Sequence, residues 1–455
     1  MTASRASLLA GCSAAVVSVL AAACGGQAPT AAEAPVTPKV ATARIPATES
    51  VERADGSPPP VSLKPSKREV REAPAVLADV AARHELEVVR PVASEVVSRA
   101  RGIELIVQKT ERDLPREFLE AQGELFALLE LSDPDYRFVE GMFAQVRENV
   151  AGFYDPDDDK LYLLDDLDDV ARAPTLAHEL VHALQDQHFD LGARLTYRRG
   201  QVDAAAAVGA FAEGDATSAM FSHLPDGALS VETLRRSLAA SVALSSTGLN
   251  TPPALQASLI APYVDGYRFV EALRARGGWS EVNRAWRDPP RSTEQLLHLD
   301  KYDAREAPLE VAEPTSAPFG VEARILDSDV VGEQGLRIVL EPWSSPPEAA
   351  AAAAGWGGDR YVLVSRSDGA RREVALAWRL VFDSEVDAVE LERLVAKRHP
   401  ACRDRGVLGP LAWRRRGREV ALVAGPLARD SAGKASRARG ASCDHAKRWV
   451  DDLLR

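Results

Sequence analysis

The sequence lacks several features that would assign it to a common class of protein. It contains no Gly-x-Ser-x-Gly, so a serine hydrolase with a nucleophile elbow is not supported. Only four cysteines are present, and the two outside the N-terminal region do not have the spacing of a zinc site. No apolar run beyond that region is long enough to span a bilayer. The net charge of −12 argues against nucleic acid as a partner.

The remaining composition is that of an ordinary globular protein. Hydrophobic residues make up 46% of the chain and aromatic residues 6%, which is enough for an ample core. The length of 455 residues leaves room for two or three domains. Composition therefore bounds the class of protein, and any function has to be argued from local patterns of residues.

The stretch Thr175–His188 carries the clearest chemistry. It contains His-Glu-x-x-His, at His178, Glu179 and His182, on a predicted helix. Residues four apart on a helix are rotated by only about 40°, so both imidazoles can bind one metal ion. Glu179 lies beside them, where it can hold a metal-bound water. Because the chain has only eight histidines, the pattern seldom arises by chance; two buried histidines that only form hydrogen bonds are the alternative.

A catalytic zinc ion takes three protein ligands and leaves one position for water, so a third ligand is needed. His188 has the position of the third histidine of the metzincins. However, Gln185 stands where that pattern has glycine, and a continuous helix would rotate His188 about 120° away from His182. Glu213 lies on a second predicted helix, Val202–Phe221, which can face the first. We favour Glu213, and His188 remains the alternative.

These residues resemble those of the gluzincins, the thermolysin-like zinc metallopeptidases in which a glutamate from a second helix completes the ligand set. More narrowly, the chain is similar to a group of bacterial envelope proteins with the recurrent motifs HELxHALQDQ, EGxA, PPxSTEQxLH and GWGGD. The corresponding segments here are 178–187, 213–216, 289–298 and 355–359, in the same order. The resemblance covers the chain from about Val92 to the C-terminus.

The resemblance implies a cell-envelope zinc metallopeptidase with one Zn²⁺ per chain. The two motif histidines and Glu213 would bind the metal, and Glu179 would act as the general base. The substrate would be a peptide or protein, and an endopeptidase is favoured over an exopeptidase. Because fold and site do not fix function, the alternative is a zinc-binding lipoprotein that acts in binding or envelope assembly without significant proteolysis.

Gluzincins commonly use a downstream tyrosine or histidine to donate a hydrogen bond to the developing oxyanion. Four residues are eligible here, namely Tyr263, Tyr267, His298 and His223. The sequence does not choose among them, since a tyrosine with a core ring and a surface hydroxyl is the ordinary alternative. The segment 292–295 in the third motif indicates a helix capping box more simply than a catalytic set.

An acidic turn precedes the metal-binding helix. Residues 151–164 predict a β-hairpin in which two short apolar-aromatic strands flank this turn. Its place resembles the edge strand on which zincins hold an extended substrate. The turn contains Asp155, Asp157, Asp158 and Asp159. Their spacing does not fit an EF-hand loop, so a solvated turn is favoured over a calcium site.

The N-terminus has the pattern of a secretory signal. Arg5 precedes an apolar run, and Cys24 follows it, which resembles the lipidated cysteine of a bacterial lipoprotein. We therefore expect a signal peptide over 1–23 and a disordered, Pro- and Ala-rich tether over 24–74. The protein would then contact the membrane through a lipid anchor, in the periplasm or at the outer membrane. The alternatives are a plain signal peptide, which would give a secreted protein, and a membrane anchor.

A shift to Pro, Ser and Thr near residues 312–318 divides the rest of the chain. We expect an α+β protein with a mainly helical, zincin-like metallopeptidase domain over 75–312 and a smaller α+β domain over 313–455. The second domain should contain two β-hairpins, each followed by a helix, with the helices on one face of a small sheet. Cys402 and Cys443 are an even pair there, which can form a disulfide in an oxidising compartment; two free thiols are the alternative.

Overall fold

The structure is a computed structural model that describes four segments of the chain, residues 68–167, 169–222, 229–246 and 249–455. Cys24, the predicted signal peptide and His223 lie outside these residues. The protein is α+β, as the sequence predicts, with a three-stranded sheet in the N-terminal part and a seven-stranded sheet in the C-terminal part. Within the described segments, no helix has both the length and the apolar character needed to cross a membrane.

The N-terminal part is mainly helical and contains three short strands. Its helices are α1 (Arg68–Arg83), α2 (Arg99–Asp113), α3 (Arg116–Leu128), α4 (Phe138–Asn149), α5 (Asp169–Phe189), α6 (Leu191–Arg194), α7 (Val202–Phe221), α8 (Val231–Ser245), α9 (Pro253–Arg287), α10 (Thr293–Leu297) and α11 (Leu299–Ala304). Its strands are β1 (Ala93–Val97), β2 (Gly152–Asp155) and β3 (Lys160–Leu164). Strand β3 is central, parallel to β1 and antiparallel to β2, so the predicted hairpin is confirmed.

Helix α1 extends into the predicted tether. The prediction of a disordered chain is wrong for residues 68–74, because the helix begins at Arg68 and continues through Pro74. Ala73, Leu77 and Val80 are buried at three-to-four spacing and join a core cluster with side chains of α5. This apolar stripe gives the segment a surface to fold against, which the overall composition of the tether did not reveal.

Helix α5 carries the predicted metal-binding residues. It begins at Asp169 and ends at Phe189, and Asp190 then adopts a left-handed backbone with φ of 54°. Aspartate is one of the few residues other than glycine that adopts this conformation readily. Helix α7, which carries Glu213, has the predicted bounds and packs against α5.

Helices α7 and α9 approach each other closely at two glycines. A Cβ atom on Gly214 would lie 2.0 Å from the carbonyl carbon of Gly266, and one on Gly266 would lie 1.7 Å from the carbonyl oxygen of Ala210. Backbones this close leave no room for a side chain, so only glycine fits at the crossing. The crossing places Tyr263 of α9 within hydrogen-bond reach of Glu213 on α7.

The C-terminal part is built on an antiparallel sheet. Its strands are β4 (Arg324–Asp329), β5 (Trp356–Asp368), β6 (Arg371–Phe382), β7 (Cys402–Asp404), β8 (Pro410–Arg416), β9 (Glu419–Arg429) and β10 (Ala435–Arg437). They are arranged in the order β4-β5-β6-β9-β8-β7, and β10 pairs with β9. The helices are α12 (Gly332–Leu340), α13 (Pro346–Ala353), α14 (Glu385–Arg398) and α15 (Cys443–Leu453).

Helices cover both faces of this sheet, so the prediction that they lie on one face is wrong. Leu363 and Trp378 point to a cluster that includes residues of α12, α13 and α14. Val364 and Ala377 point to the opposite cluster, which contains Trp449 of α15. Strands buried on both faces are apolar at consecutive positions, so their pattern does not show how many faces helices cover.

The two parts that the sequence divides near residue 312 share a core. One cluster of buried side chains joins Leu128 of α3 and Leu336 of α12 to Trp378 of β6. A disulfide between Cys402 and Cys443 joins β7 to the first residue of α15. The C-terminal part is therefore tied internally by a covalent bond and packed against the helical part through apolar contacts.

Candidate metal centre

Three buried side chains from α5 and α7 converge on one point. Nε2 of His178 lies 3.2 Å from Oε2 of Glu213 and 3.2 Å from Nε2 of His182. Nε2 of His182 lies 3.5 Å from Oε1 of Glu213. One ligand atom from each of the three residues lies within 4.8 Å of the others. Two imidazoles and one carboxylate are a donor set of the kind that binds catalytic zinc.

Two carboxylate oxygens at this point accept no hydrogen bond. They are Oε2 of Glu213, whose contact with His178 does not have hydrogen-bond geometry, and Oε1 of Glu179. A buried acceptor without a partner costs about 1–3 kcal/mol, so its presence calls for an explanation. A metal ion and its bound water would use both oxygens. The donor set therefore fits the metal ion that the sequence predicts.

Burial sets the charge of the predicted ligands. It lowers the pKa of His178 to about 4, and it lowers the pKa of His182 against the opposing charge of Glu213. Both imidazoles are therefore neutral near pH 7 and keep the lone pair that a metal ion binds. Burial raises the pKa of Glu213 to about 7, while His182 and a hydrogen bond with Tyr263 offset part of this shift.

Glu179 is held by the β-hairpin. The backbone N–H of Tyr154 in β2 donates to its Oε2 at 3.0 Å. Burial and the charge of Glu213 raise the pKa of Glu179 well above its ordinary value, although the hydrogen bond from Tyr154 opposes the shift. One oxygen is thus fixed and the other is free to accept a proton. No residue pattern signals this contact in the sequence, since every residue except proline supplies a backbone N–H.

Tyr263 is the one of the three described oxyanion candidates that the structure brings to the centre. Its ring centroid lies 6.3 Å from that of His178, and its hydroxyl forms the hydrogen bond with Glu213. The hydroxyl of Tyr267 instead donates to the carbonyl oxygen of Leu229 at 2.8 Å. The geometry therefore distinguishes two tyrosines that the sequence left equivalent.

Of the histidines that remain from the sequence analysis, the two that the structure describes lie elsewhere. Nε2 of His298 lies 2.8 Å from Oε1 of Glu333, on the contact between α10 and α12. His188, the alternative third ligand, is partly exposed at the end of α5, and its Nε2 lies 2.7 Å from the carbonyl oxygen of Glu87. Neither belongs to the group of ligand atoms around His178.

Three of the four aspartates of the acidic turn are paired with cationic side chains, and Asp158 accepts from the hydroxyl of Tyr162 at 3.2 Å. Nζ of Lys109 lies 2.6 Å from Asp157 and 3.2 Å from Asp155. Arg90 forms an ion pair with Asp159. These pairs place protein cations where a calcium ion would have to bind, in agreement with the interpretation of this segment as an ordinary turn.

A second group of acidic side chains surrounds a lysine. Nζ of Lys301 lies 2.6 Å from Glu294 and 3.1 Å from Glu306, and it also contacts Asp383. The ammonium group supplies the positive charge that the three carboxylates require. This group is therefore an ion-pair network at the protein surface, in which Lys301 takes the place of a metal ion.

The GWGGD motif forms a hydrogen-bonding centre in the C-terminal part. Asp359 accepts hydrogen bonds from the indoles of Trp356 at 2.9 Å and Trp378 at 2.8 Å. It also accepts from the backbone N–H groups of Val331 at 3.0 Å and Gly332 at 2.9 Å, where α12 begins. The motif thus fixes the start of a helix that packs on the sheet, which is a structural role.

The PPxSTEQxLH motif connects the two parts of the protein. Ser292 caps α10 by accepting from the N–H of Gln295 at 3.2 Å, which is one half of the predicted capping box. The side chain of Gln295 accepts from the N–H of Arg291 at 2.9 Å instead of from Ser292. The hydroxyl of Thr293 donates to Asp203 of α7 at 2.5 Å and accepts from the N–H of Gln334 in α12 at 3.1 Å. One threonine therefore links the helix that carries Glu213 to the C-terminal part.

Residues 322–433 match the model of a family described as a domain of unknown function (DUF8575). The matched segment begins just before β4 and ends just after β9, so it corresponds to most of the C-terminal sheet. No curated protein and no solved structure matches the chain. The match does not include α5 or α7, and the metal centre is therefore interpreted from its geometry.

Proposed function

We propose that the protein is a zincin-like metallopeptidase of the gluzincin type, which hydrolyses peptide bonds with one zinc ion per chain. The observation that carries the proposal is the convergence of His178, His182 and Glu213 beside Glu179, in a site with two unpaired carboxylate oxygens. Bound there, zinc would polarise the scissile carbonyl and lower the pKa of a water molecule towards about 7.

The side chains around the site can perform the proton transfers of hydrolysis. Oε1 of Glu179 can take a proton from the attacking water and pass it to the leaving amine. Oε2 is held by the N–H of Tyr154, so the carboxylate has a fixed orientation. A raised pKa suits a group that must both accept and release a proton. The hydrogen bond between the hydroxyl of Tyr263 and Glu213 places this hydroxyl beside the ligands. This position supports Tyr263 as the donor to the developing oxyanion.

The position of β2 supports a peptide as the substrate. This strand pairs with β3 on one side only, so its other edge faces the metal centre through Tyr154. An extended peptide that added to this edge would bring its backbone next to Glu179. Binding along a strand suits a site within a longer chain, which favours an endopeptidase. All four residues of β2 are buried, so the surroundings of the strand must open to admit a peptide.

The cell envelope is the proposed location. The N-terminal pattern that ends in Cys24 supports export and lipid anchoring. The disulfide between Cys402 and Cys443 supports an oxidising compartment. A lipid anchor followed by a tether would hold the catalytic body near the membrane and leave it free to meet peptide or protein substrates.

Burial of the site favours a second candidate function. His178, Glu179, His182 and Glu213 are each between 1% and 7% exposed, which is also expected of a zinc site that stabilises a binding protein. Such a protein would act in envelope assembly without significant proteolysis. Complementation of a gene deletion with the Glu179→Gln variant separates the two functions, since an assembly factor would tolerate this change and a peptidase would not.

The direct test compares wild type with Glu179→Gln in zinc content and in cleavage of a mixture of unstructured peptides. We expect the variant to keep its zinc and to lose about 10³-fold in turnover, because the amide cannot take the proton. Glu117→Gln, at an exposed position in the first turn of α3, is the matched control and should have wild-type turnover. Undiminished cleavage by Glu179→Gln would refute the assigned role.

A further inference from the structure

His182 forms a hydrogen bond through the ring nitrogen that does not face the metal centre. Its Nδ1 lies 2.8 Å from Oε1 of Gln185. The amide nitrogen of Gln185 donates to the carbonyl oxygen of Ala212 at 3.1 Å and to Oδ2 of Asp215 at 2.9 Å. Because a carbonyl oxygen can only accept, the NH₂ group faces Ala212 and the amide oxygen faces the imidazole. Nδ1 of His182 therefore carries the proton, and the lone pair is on Nε2 in the metal centre.

Asp215 is itself held by two side chains, one from α9 and one from the residue that directly follows α1. The indole N–H of Trp286 donates to its Oδ2 at 2.8 Å, and Nε2 of His84 lies 3.1 Å from its Oδ1. The other ring nitrogen of His84 lies 2.9 Å from the carbonyl oxygen of Val80, and the ring packs on Trp279 with centroids 3.9 Å apart. The side chains of this network are almost completely buried, so each has one available arrangement.

We propose that Gln185 and Asp215 are positioning residues that fix the tautomer and orientation of His182, and that His84 connects them to α1. The proposal rests on the metal centre described above. It assigns a role in metal binding to α1, the first described helix, which begins inside the predicted tether. Groups that accept the second N–H of a metal-binding histidine typically contribute about 10–100-fold in metal affinity.

Gln187 offers a matched control on the same helix. Its Oε1 accepts from the N–H of Val89 at 3.0 Å, and its Nε2 donates to the carbonyl oxygen of Arg90 at 2.9 Å. It therefore makes the same kinds of hydrogen bond as Gln185, but to backbone groups remote from the metal ligands. Gln187 is partly exposed, whereas Gln185 is buried, so the pair is matched in hydrogen bonding and not in burial. A loss that follows from removing any hydrogen-bonded glutamine of α5 would appear in both variants, whereas a loss of positioning would appear only at Gln185.

The experiment measures the zinc dissociation constant of the mature chain by competition with a chromophoric chelator. We expect Gln185→Met to weaken zinc binding by about 10–100-fold and Gln187→Met to leave it unchanged. Asp215→Leu should behave like Gln185→Met. Asp215→Asn should restore affinity, since its oxygen can accept from Gln185 and Trp286 while its NH₂ group donates to His84. Thermal unfolding of the metal-free variants shows whether each is folded.

The outcomes separate this inference from the proposed function. Equal dissociation constants for wild type and Gln185→Met, in folded proteins, would overturn the positioning role whatever the peptidase assays show. A dissociation constant that depends on Gln185 in a protein without peptidase activity would support the inference and reject the proposed function. Failure of the wild type to bind zinc would overturn both.

Discussion

The candidate metal centre and the GWGGD centre are both built around buried carboxylates, but their oxygens have different partners. Asp359 accepts hydrogen bonds from two indoles and two backbone N–H groups. Glu179 and Glu213 are as deeply buried, yet each has one oxygen that accepts none. A carboxylate that only supports the fold can be completely paired, whereas an unpaired oxygen leaves a position for another group. Asp329 and Glu333 also have one buried oxygen without a partner, so the unpaired oxygen alone does not mark a binding site. It supports the proposed metal site because it lies where two imidazoles converge with the carboxylate of Glu213.

The largest effect on stability is expected at the paired carboxylate. Asp359→Ala would leave four buried N–H donors without an acceptor, and each unpaired donor costs about 1–3 kcal/mol. We expect the free energy of unfolding, measured with urea, to fall by about 4 kcal/mol, since relaxation relieves part of the cost. Asp359→Asn keeps one acceptor oxygen and should lose less. An unchanged urea midpoint in Asp359→Ala would contradict the structural role.

A smaller, pH-dependent effect is expected at Asp203, which joins the two parts through Thr293. Burial raises the pKa of Asp203 to about 7, although hydrogen bonds from Thr293 offset part of the shift. The folded protein therefore binds this proton more tightly than the unfolded chain, in which aspartate titrates near pH 3.9. The contribution to stability is complete below about pH 4 and declines as the pH rises to about 7.

Urea unfolding of wild type and Asp203→Asn between pH 4 and pH 8 tests this expectation. The difference between the two proteins isolates Asp203, because other titrating groups are common to both. We expect wild type to lose on the order of 3 kcal/mol more than the variant across this range. Parallel curves would show that the proton on Asp203 does not distinguish the folded from the unfolded state.

The smallest effect is expected at the metal centre, and it should have the opposite sign. Glu213→Met replaces a buried carboxylate, which has an unpaired oxygen, by an apolar side chain of similar length. We expect the metal-free variant to be about 1 kcal/mol more stable than metal-free wild type in urea unfolding. With excess zinc, wild type should become the more stable protein, because only it binds the ion tightly. If the metal-free variant were less stable than metal-free wild type, the carboxylate of Glu213 would stabilise the fold as that of Asp359 does. The contrast between the two carboxylates would then be wrong.

The sequence predicted the local part of the site well. The spacing of His178, Glu179 and His182 places them on one side of a helix, and the structure has this helix as α5. The pattern of small and apolar residues gave the bounds of α7, and the hairpin that precedes α5 was also predicted. These features depend on residues close together in the chain, where helix and strand periods apply.

The parts that were missed depend on contacts between distant residues. His84 and Asp215 are 131 residues apart, and the partner of Glu179 is a backbone group with no sequence signature. The choice of Tyr263 over Tyr267 depends on where α7 and α9 cross, which the glycines decide. The sequence analysis did not predict that helices cover both faces of the C-terminal sheet. The strands of this sheet are apolar at consecutive positions, and this pattern does not indicate whether helices cover one face or both.

The most direct test of the central claim is the zinc content of the purified protein, measured by elemental mass spectrometry beside two variants. The ligand set predicts one zinc per chain in wild type and in His188→Ala, and little zinc in Glu213→Ala. His188→Ala is the control, since its imidazole binds the backbone of Glu87 and lies outside the group of ligand atoms. Loss of zinc with His188 but not with Glu213, or a wild type without zinc after refolding with the metal, would contradict the account.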